Sequence, residues 1–196
     1  MRGMGFVEPS CEYRMLDNTK ANIVCAFTAV RQFLAESSGT YALIVHQDAR
    51  PLEPAELLAR RLEELTEAEP FWGVAGNVGM TRNMQAVMSI RARGEEHRLD
   101  APHHQVMTLD ENVLIVRQGL GLTVSADLSG FHFYGFDLCS IADLLGYSSH
   151  VIDFLWQHDS MGNVNADFYR AQDAVERKMA KFRNTDFSSM LGMSCG

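Results

Sequence analysis

Two potential metal ligands stand one residue apart at the end of an apolar run in the segment YALIVHQDARP, residues 41 to 51. His46 and Asp48 follow directly after Val45, and Pro51 ends the segment. An imidazole and a carboxylate two positions apart, just past a strand, can point into one crevice and hold Mn²⁺ or Mg²⁺. The same residues also fit a plain turn, in which Asp48 begins the bend and His46 binds a neighbouring carbonyl group. The pattern alone leaves both interpretations open.

Four further side chains combine a useful chemical group with a position near the end of a predicted element. His158 follows the apolar run HVIDFLWQ and is either a further metal ligand or a turn histidine. His132, inside the aromatic segment GFHFYG, either lines a binding site or packs within its loop. Asp137 begins a predicted helix and is either a proton acceptor or an N-terminal cap that the helix dipole favours. Trp72 belongs either to the core or to a pocket wall.

The composition limits the classes of function. The 196 residues carry a net charge of −8 and a pI of about 5.3, which argues against a broad nucleic-acid surface, because such a surface needs clustered Lys and Arg. No apolar run reaches the roughly 18 residues of a membrane-spanning helix. The 4 cysteines include no CxxC pair, which predicts reduced thiols in a cytoplasmic protein. We expect a soluble single domain over residues 1–185, followed by a flexible tail at 186–196.

Two hydrophobic patterns, periodic stripes and continuous apolar runs, predict the elements that would position these residues. Stripes with the 3.6-residue period of a helix occupy 20–36 and 54–67, whereas the polar stretch 91–105 predicts a loop. Continuous apolar runs, typical of strands covered on both faces, predict strands at 41–46, 72–76, 112–117 and 150–156. Their alternation predicts an α/β fold, with a mostly parallel sheet and helices on both faces. Ligands of such sheets bind beyond the carboxyl ends of the strands, where His46 and Asp48 stand.

Five segments, in this order along the chain, resemble glycosyltransferases of the GT-A fold, in particular the inverting, family-2-like enzymes that use nucleotide-diphospho-sugars. The segments are YRMLDNTKAN, GTYALIVHQDARP, FWGVAGNVG, LDENVLIVRQ with LSGFHFYGFDLCSIADLLGY, and VIDFLWQHDSMGN. They cover about residues 11 to 175. Their order and spacing carry the resemblance, because no single segment is specific by itself.

The resemblance implies a GT-A fold, with its Rossmann-like and mostly parallel sheet, and a role for each matching side chain. It places His46, Asp48 and His158 around a divalent cation, Mn²⁺ or Mg²⁺, in a variant of the DxD motif that has histidine first. It makes Asp137 the catalytic base. The substrate-binding residues that it implies are Asp17, which would lie near the nucleotide base, Trp72, His132 and Tyr134.

Two departures from the family pattern bear on activity. Residues 1 to 10 match neither the family's first strand nor its nucleotide-gripping loop, so we expect that strand to be absent. Gly135 stands where the family usually has the acidic residue that serves as catalytic base, and Asp137 matches the second acidic position. The leading hypothesis is metal-dependent transfer of a sugar from a nucleotide-diphosphate donor to a hydroxyl of a carbohydrate acceptor. The alternatives are a decayed domain that binds nucleotide or sugar without turnover, and a metal-dependent hydrolase with water as the acceptor.

Overall fold

The computed structural model describes residues 1–16, 24–159 and 164–183. Within these ranges the helices are α1 (Ala26–Glu36), α2 (Ala55–Ala68), α3 (Tyr134–Leu144) and α4 (Ala166–Arg183). The strands are β1 (Tyr41–Val45), β2 (Ala49–Pro51), β3 (Trp72–Gly76), β4 (Val78–Met80), β5 (Ala86–Met88), β6 (Ile90–Ala92), β7 (Glu95–His97), β8 (His103–Val106), β9 (Thr108–Leu109), β10 (Val113–Arg117), β11 (Ser148–Ile152) and β12 (Trp156–His158).

The strands form three sheets in which antiparallel pairs predominate. The largest sheet has the order β1-β10-β3-β11-β8, and β3 with β11 is its parallel pair. A second sheet has the order β2-β12-β6-β7, and a third, β5-β4-β9, is antiparallel. The predicted GT-A fold, a Rossmann-like and mostly parallel sheet with helices on both faces, is therefore wrong.

The apolar runs misled the fold prediction because they report burial and not strand direction. In β10, Leu114 and Val116 belong to one apolar cluster, whereas Val113 and Ile115 belong to a second. The first cluster also contains buried residues of α1 and α3, and the second contains those of α2. A strand between two such clusters is apolar at every position, whichever way its neighbours run.

Most predicted elements exist, with shifted ends. The strands predicted at 41–46, 72–76 and 112–117 are confirmed as β1, β3 and β10, and the helix predicted at 54–67 is confirmed as α2. The strand predicted at 150–156 is two strands, β11 and β12, which join different sheets. The helix predicted at 20–36 is α1, which begins only at Ala26 because Cys25 is extended, and residues 20–23 of that prediction lie outside the described part of the chain.

The stretch 91–105 is not the predicted loop. It contains the end of β6, all of β7, which pairs with β6 as a hairpin, and most of β8. Residues of β7 are exposed, so this hairpin lacks the apolar alternation by which strands are recognised from sequence. Residues 17–23, 160–163 and 184–196 lie outside the described part of the chain, and with them the predicted tail at 186–196.

Across the described residues, no helix combines the length and the apolar character needed to cross a membrane. Cys11, Cys25 and Cys139 are free thiols, as the sequence predicted for them. A 3-10 turn at Arg2–Met4 precedes Phe6, whose side chain is buried against Phe154 and Trp156. The N-terminal residues therefore pack on the same apolar cluster as α2.

Candidate metal centre

The turn between β1 and β2 and the end of β12 bring three potential ligands together. The backbone N–H of His46 donates to the carbonyl of Asn112 (2.9 Å), and the carbonyl of His46 accepts from Ala49 N–H (3.1 Å). These bonds close the turn that carries Asp48. Since β12 pairs with β2 so that His158 lies opposite Ala49, the pairing delivers His158 to the same turn. One potential ligand atom from each of His46, Asp48 and His158 lies within 4.8 Å of the others.

The three side chains fit a shared divalent cation. The His158 Nε2 and Asp48 Oδ1 atoms are 3.4 Å apart, and the ring centroids of His46 and His158 are 6.1 Å apart. The side chain of Asp48 is 39% exposed and that of His158 is 15% exposed, so one side of the group is open to solvent. Two imidazoles and one carboxylate suit Mn²⁺ or Fe²⁺ better than Mg²⁺, which prefers oxygen ligands throughout.

Burial keeps His46 in the form that binds metals. Desolvation lowers the pKa of His46, and the positive charges of His158 and His132 lower it further, whereas Asp110 and Asp48 raise it. The net effect is a pKa below the usual histidine value, so the ring is neutral at physiological pH and retains one unprotonated nitrogen.

Tyr134 connects His46 to a residue that the sequence did not single out, Glu111. The Tyr134 hydroxyl lies 2.8 Å from His46 Nε2 and donates to the backbone carbonyl of Glu111 at 3.1 Å. Burial raises the pKa of Tyr134, so the hydroxyl keeps its single proton. With that proton on the Glu111 carbonyl, His46 Nε2 must donate to the hydroxyl oxygen, and His46 Nδ1 keeps its lone pair. The network thus assigns the tautomer of His46.

The Glu111 carboxyl group lies against the first turn of α3. Its Oε1 accepts the backbone N–H of Gly135 at 3.4 Å. Burial raises the pKa of Glu111 to about 7, and the negative charge of Asp110 adds to the rise, whereas the N–H groups of Gly135, Phe133 and Tyr134 oppose it. Phe133 has a left-handed backbone, with φ of 68°, at the N-cap of α3. A weak signal for Glu111 exists in the sequence, since an acidic pair precedes the strand 112–117.

Asp137, the predicted base, is buried and bonded to Ser125 instead of to the residues of the candidate metal centre. Its side chain is fully buried, its Oδ2 accepts the Ser125 N–H (2.7 Å) and its Oδ1 accepts the Ser125 hydroxyl (2.6 Å). Both oxygens are thus used to fix the loop at Ser125 to α3. This arrangement favours a structural role for Asp137 over proton transfer. The role is not that of a helix cap, because Asp137 binds Ser125 and not the backbone amides of α3.

Of the predicted substrate-binding residues, some are buried in the core and others lie near the candidate metal centre. Trp72 is fully buried, donates its indole N–H to Thr66 Oγ1 (2.9 Å) and stacks on Tyr41, so it is a core residue. Tyr134 is buried and contacts His46 instead of open space. His132 is half-buried, packs edge to face on Phe168 of α4, and is close enough to influence the His46 pKa. Asp17 lies outside the described residues.

A cavity of about 410 Å³ lies apart from the candidate centre. Its lining includes Arg82, His104, Asp143 and Ser148, but none of His46, Asp48 and His158. Arg82 and Asp143 form an ion pair at 3.0 Å in this lining, and both side chains are well exposed. Among the described residues, the three potential metal ligands converge at the open turn that carries Asp48 and not in this cavity, so that turn is the better candidate for chemistry.

Comparisons with known proteins leave the family open. No protein-family profile matches this chain. A curated protein of Fuscovulum blasticum, "ATP synthase subunits region ORF 6", is 29% identical over 186 residues, which are 91% of this chain and 75% of that protein. A solved structure, A197 from STIV, matches with 12% identity and a TM-score of 0.44, over 83% of this chain and 89% of that one. The first name states no activity, and the structural likeness is too low to carry an argument.

Proposed function

We propose that this chain is a metal-dependent glycosyltransferase that moves a sugar from a nucleotide-diphosphate donor to a hydroxyl of a carbohydrate acceptor. The convergence of His46, Asp48 and His158 carries the proposal, because these residues are separated by up to 112 positions yet bring ligand atoms within 4.8 Å. The ordered resemblance of five segments supports the class of donor. A cytoplasmic location, where nucleotide-sugars are at hand, is part of the same proposal.

Each residue of the centre contributes differently to holding the cation that would bind a diphosphate. A divalent cation bound here supplies positive charge that stabilises the departing diphosphate. Asp48, on the exposed side, contributes the negative charge that attracts the cation. His46 stays neutral through burial, and Tyr134 orients its ring. His158 is held by the pairing of β12 with β2, so its position does not depend on a flexible loop.

The rim of the centre offers aromatic surface to a sugar. His132 is half-buried beside the centre, and Phe131 next to it is 38% exposed. Aromatic rings of this kind pack against the apolar faces of sugar rings and leave their hydroxyls free for hydrogen bonds. We propose His132 as a contact of the donor sugar or of the acceptor, and Asp17 as a contact of the nucleotide base.

Calorimetry with Mn²⁺ and UDP tests the metal centre. The Asp48→Ala protein should bind Mn²⁺ at least about 10-fold more weakly than the parent, because even outer-shell partners of metal ligands contribute that much. Asp143→Ala, in the separate cavity, is the matched control and should bind as the parent does. Equal Mn²⁺ affinity in parent and Asp48→Ala would contradict the site.

A panel of metals and acceptors separates transfer from other chemistry. Two imidazoles and one carboxylate also hold Fe²⁺ in oxygenases, so tight Fe²⁺ binding coupled to O₂ consumption would contradict the proposal. Release of the sugar to water, unchanged by any added acceptor, would indicate a hydrolase. The burial of Asp137 favours one further candidate, a domain that binds without turnover, and binding of Mn²⁺ and UDP with no sugar transfer would establish it.

A further inference from the structure

Glu111 occupies the space that a side chain at position 135 would need. A Cβ atom added to Gly135 would lie 2.7 Å from the Leu109 carbonyl oxygen and 3.2 Å from the Glu111 Cγ. The first distance is shorter than real Cβ contacts allow, and it involves backbone, which cannot move cheaply. The glycine therefore lets the segment at 109–111 approach α3 and sets the Glu111 carboxyl group on the first turn of that helix.

The same residue is connected to the candidate metal centre through its backbone. The Glu111 carbonyl accepts from the Tyr134 hydroxyl at 3.1 Å, and that hydroxyl lies 2.8 Å from His46 Nε2. The carboxyl group is held by the Gly135 N–H at the start of α3, one residue from Tyr134. Glu111 is half-buried and keeps some access to solvent, in contrast to the fully buried Asp137. The carboxyl group is thus held against the first turn of α3, and the backbone of the same residue is joined to His46 through the Tyr134 hydroxyl.

We propose that Glu111 is the catalytic base of this chain, in place of Asp137; the inference rests on the proposed glycosyl transfer. The acceptor O–H bond breaks and its proton passes to a Glu111 carboxylate oxygen. The acceptor oxygen forms a bond to the anomeric carbon, while the bond from that carbon to the diphosphate oxygen breaks. The departing nucleotide diphosphate keeps the electron pair, so charge and atoms balance without any further reagent.

The surroundings of Glu111 suit proton acceptance near neutral pH. Burial and the neighbouring charge of Asp110 raise the Glu111 pKa to about 7, and the N–H groups of α3 limit the rise. A general base works best when its pKa is near the operating pH. Tyr134 of α3 also interacts with Glu111, and Asp110 acts in turn on His46, which the charges of Asp48, His158 and His132 also influence. The rate should therefore rise with pH through about 7, as Glu111 loses its proton.

The test measures binding and turnover separately in the full chain. The variants are Glu111→Gln and, as a matched control on the exposed side of α2, Glu63→Gln. Binding of Mn²⁺ with UDP is followed by calorimetry. Turnover is followed as nucleotide-diphosphate release from UDP-, GDP- and dTDP-hexoses, with water or added sugars as acceptors, between pH 5 and pH 9. Glu111→Gln should bind as the parent does, turn over about 10²–10⁴-fold more slowly and lose the rise near pH 7.

A second variant covers the case in which Glu111→Gln folds poorly. In Glu111→Ala, added formate can enter the space of the lost carboxyl group and accept the proton, so formate should restore part of the turnover; a purely structural residue gives no such rescue. Parent-like turnover by Glu111→Gln, or a Glu111→Ala protein that is folded and inactive with formate, overturns the role of Glu111 and leaves the proposed function standing. A parent that binds neither Mn²⁺ nor UDP overturns both.

Discussion

Two groups of histidines in this chain differ in the presence of a carboxylate and in access to solvent. In the candidate metal centre, His46 and His158 are joined by Asp48, which is 39% exposed. In the second group, His103 of β8 and His150 of β11 pack edge to face, with ring centroids 5.3 Å apart. Across the described residues, the first group is the one in which three potential metal ligands converge.

His150 shows what a buried histidine does without an acid. It is fully buried, its Nε2 lies 2.8 Å from the Ser148 hydroxyl, and its Nδ1 has no hydrogen-bond partner among the described residues. Burial lowers its pKa to about 4, and the charges of His103 and His104 add to the effect. The comparison shows that burial lowers the pKa of a histidine in both groups, and that the carboxylates of Asp110 and Asp48 oppose this effect at His46, whereas no carboxylate opposes it at His150.

The largest expected effect is acid destabilisation by His150. Its folded-state pKa of about 4 lies below the unfolded value of 6.5, so its contribution to stability is complete above pH 6.5 and is lost between pH 6.5 and pH 4. The difference between the two pKa values corresponds to about 3 kcal/mol in the free energy of unfolding. This contribution is measured by urea unfolding of the parent and of His150→Gln at pH 6.5 and at pH 4. The parent should lose more stability than the variant on acidification, and parallel losses would contradict the assignment.

The next largest effect concerns the tautomer of His46. Tyr134→Phe removes the hydroxyl that accepts from Nε2, so the ring can rotate or take the other tautomer. We expect Mn²⁺ affinity to fall by about 10–100-fold, the usual consequence of losing a partner behind a ligand. Tyr169→Phe, on the exposed surface of α4, is the matched control and should leave the affinity unchanged. An unaltered affinity in Tyr134→Phe would remove Tyr134 from the centre.

The smallest effect belongs to His103. Its removal takes away a positive charge and opens the His150 ring to water, and both changes raise the His150 pKa. In His103→Ala the loss of stability on acidification should shrink by less than about 1 kcal/mol, since burial remains the main cause. An NMR titration of the His150 ring gives the pKa directly, with His97→Ala on the exposed strand β7 as control. A lowered His150 pKa in His103→Ala would contradict the electrostatic account.

The positions of many elements could be predicted from the sequence, but their arrangement could not. The apolar runs at β1, β3 and β10 and the stripe of α2 are local patterns that reflect burial. Strand direction depends on which distant segment supplies the hydrogen bonds, as in the antiparallel pairing of Tyr41 with Arg117. The polar strand β7 carries no hydrophobic period, so only its pairing with β6 identifies it.

The candidate site divides along the same boundary. His46 and Asp48 could be found from the sequence, because two ligands one residue apart after a buried strand need only a turn to converge. The approach of His158 depends on β12 pairing with β2, which tertiary structure alone decides. Tertiary structure also decides the different environments of two carboxylates that contact α3. Asp137 is bound on both oxygens by Ser125, whereas Glu111 lies in the space left by Gly135. Residue type and spacing state which groups are present, but burial and partners set their protonation, and these come from segments far apart in the chain.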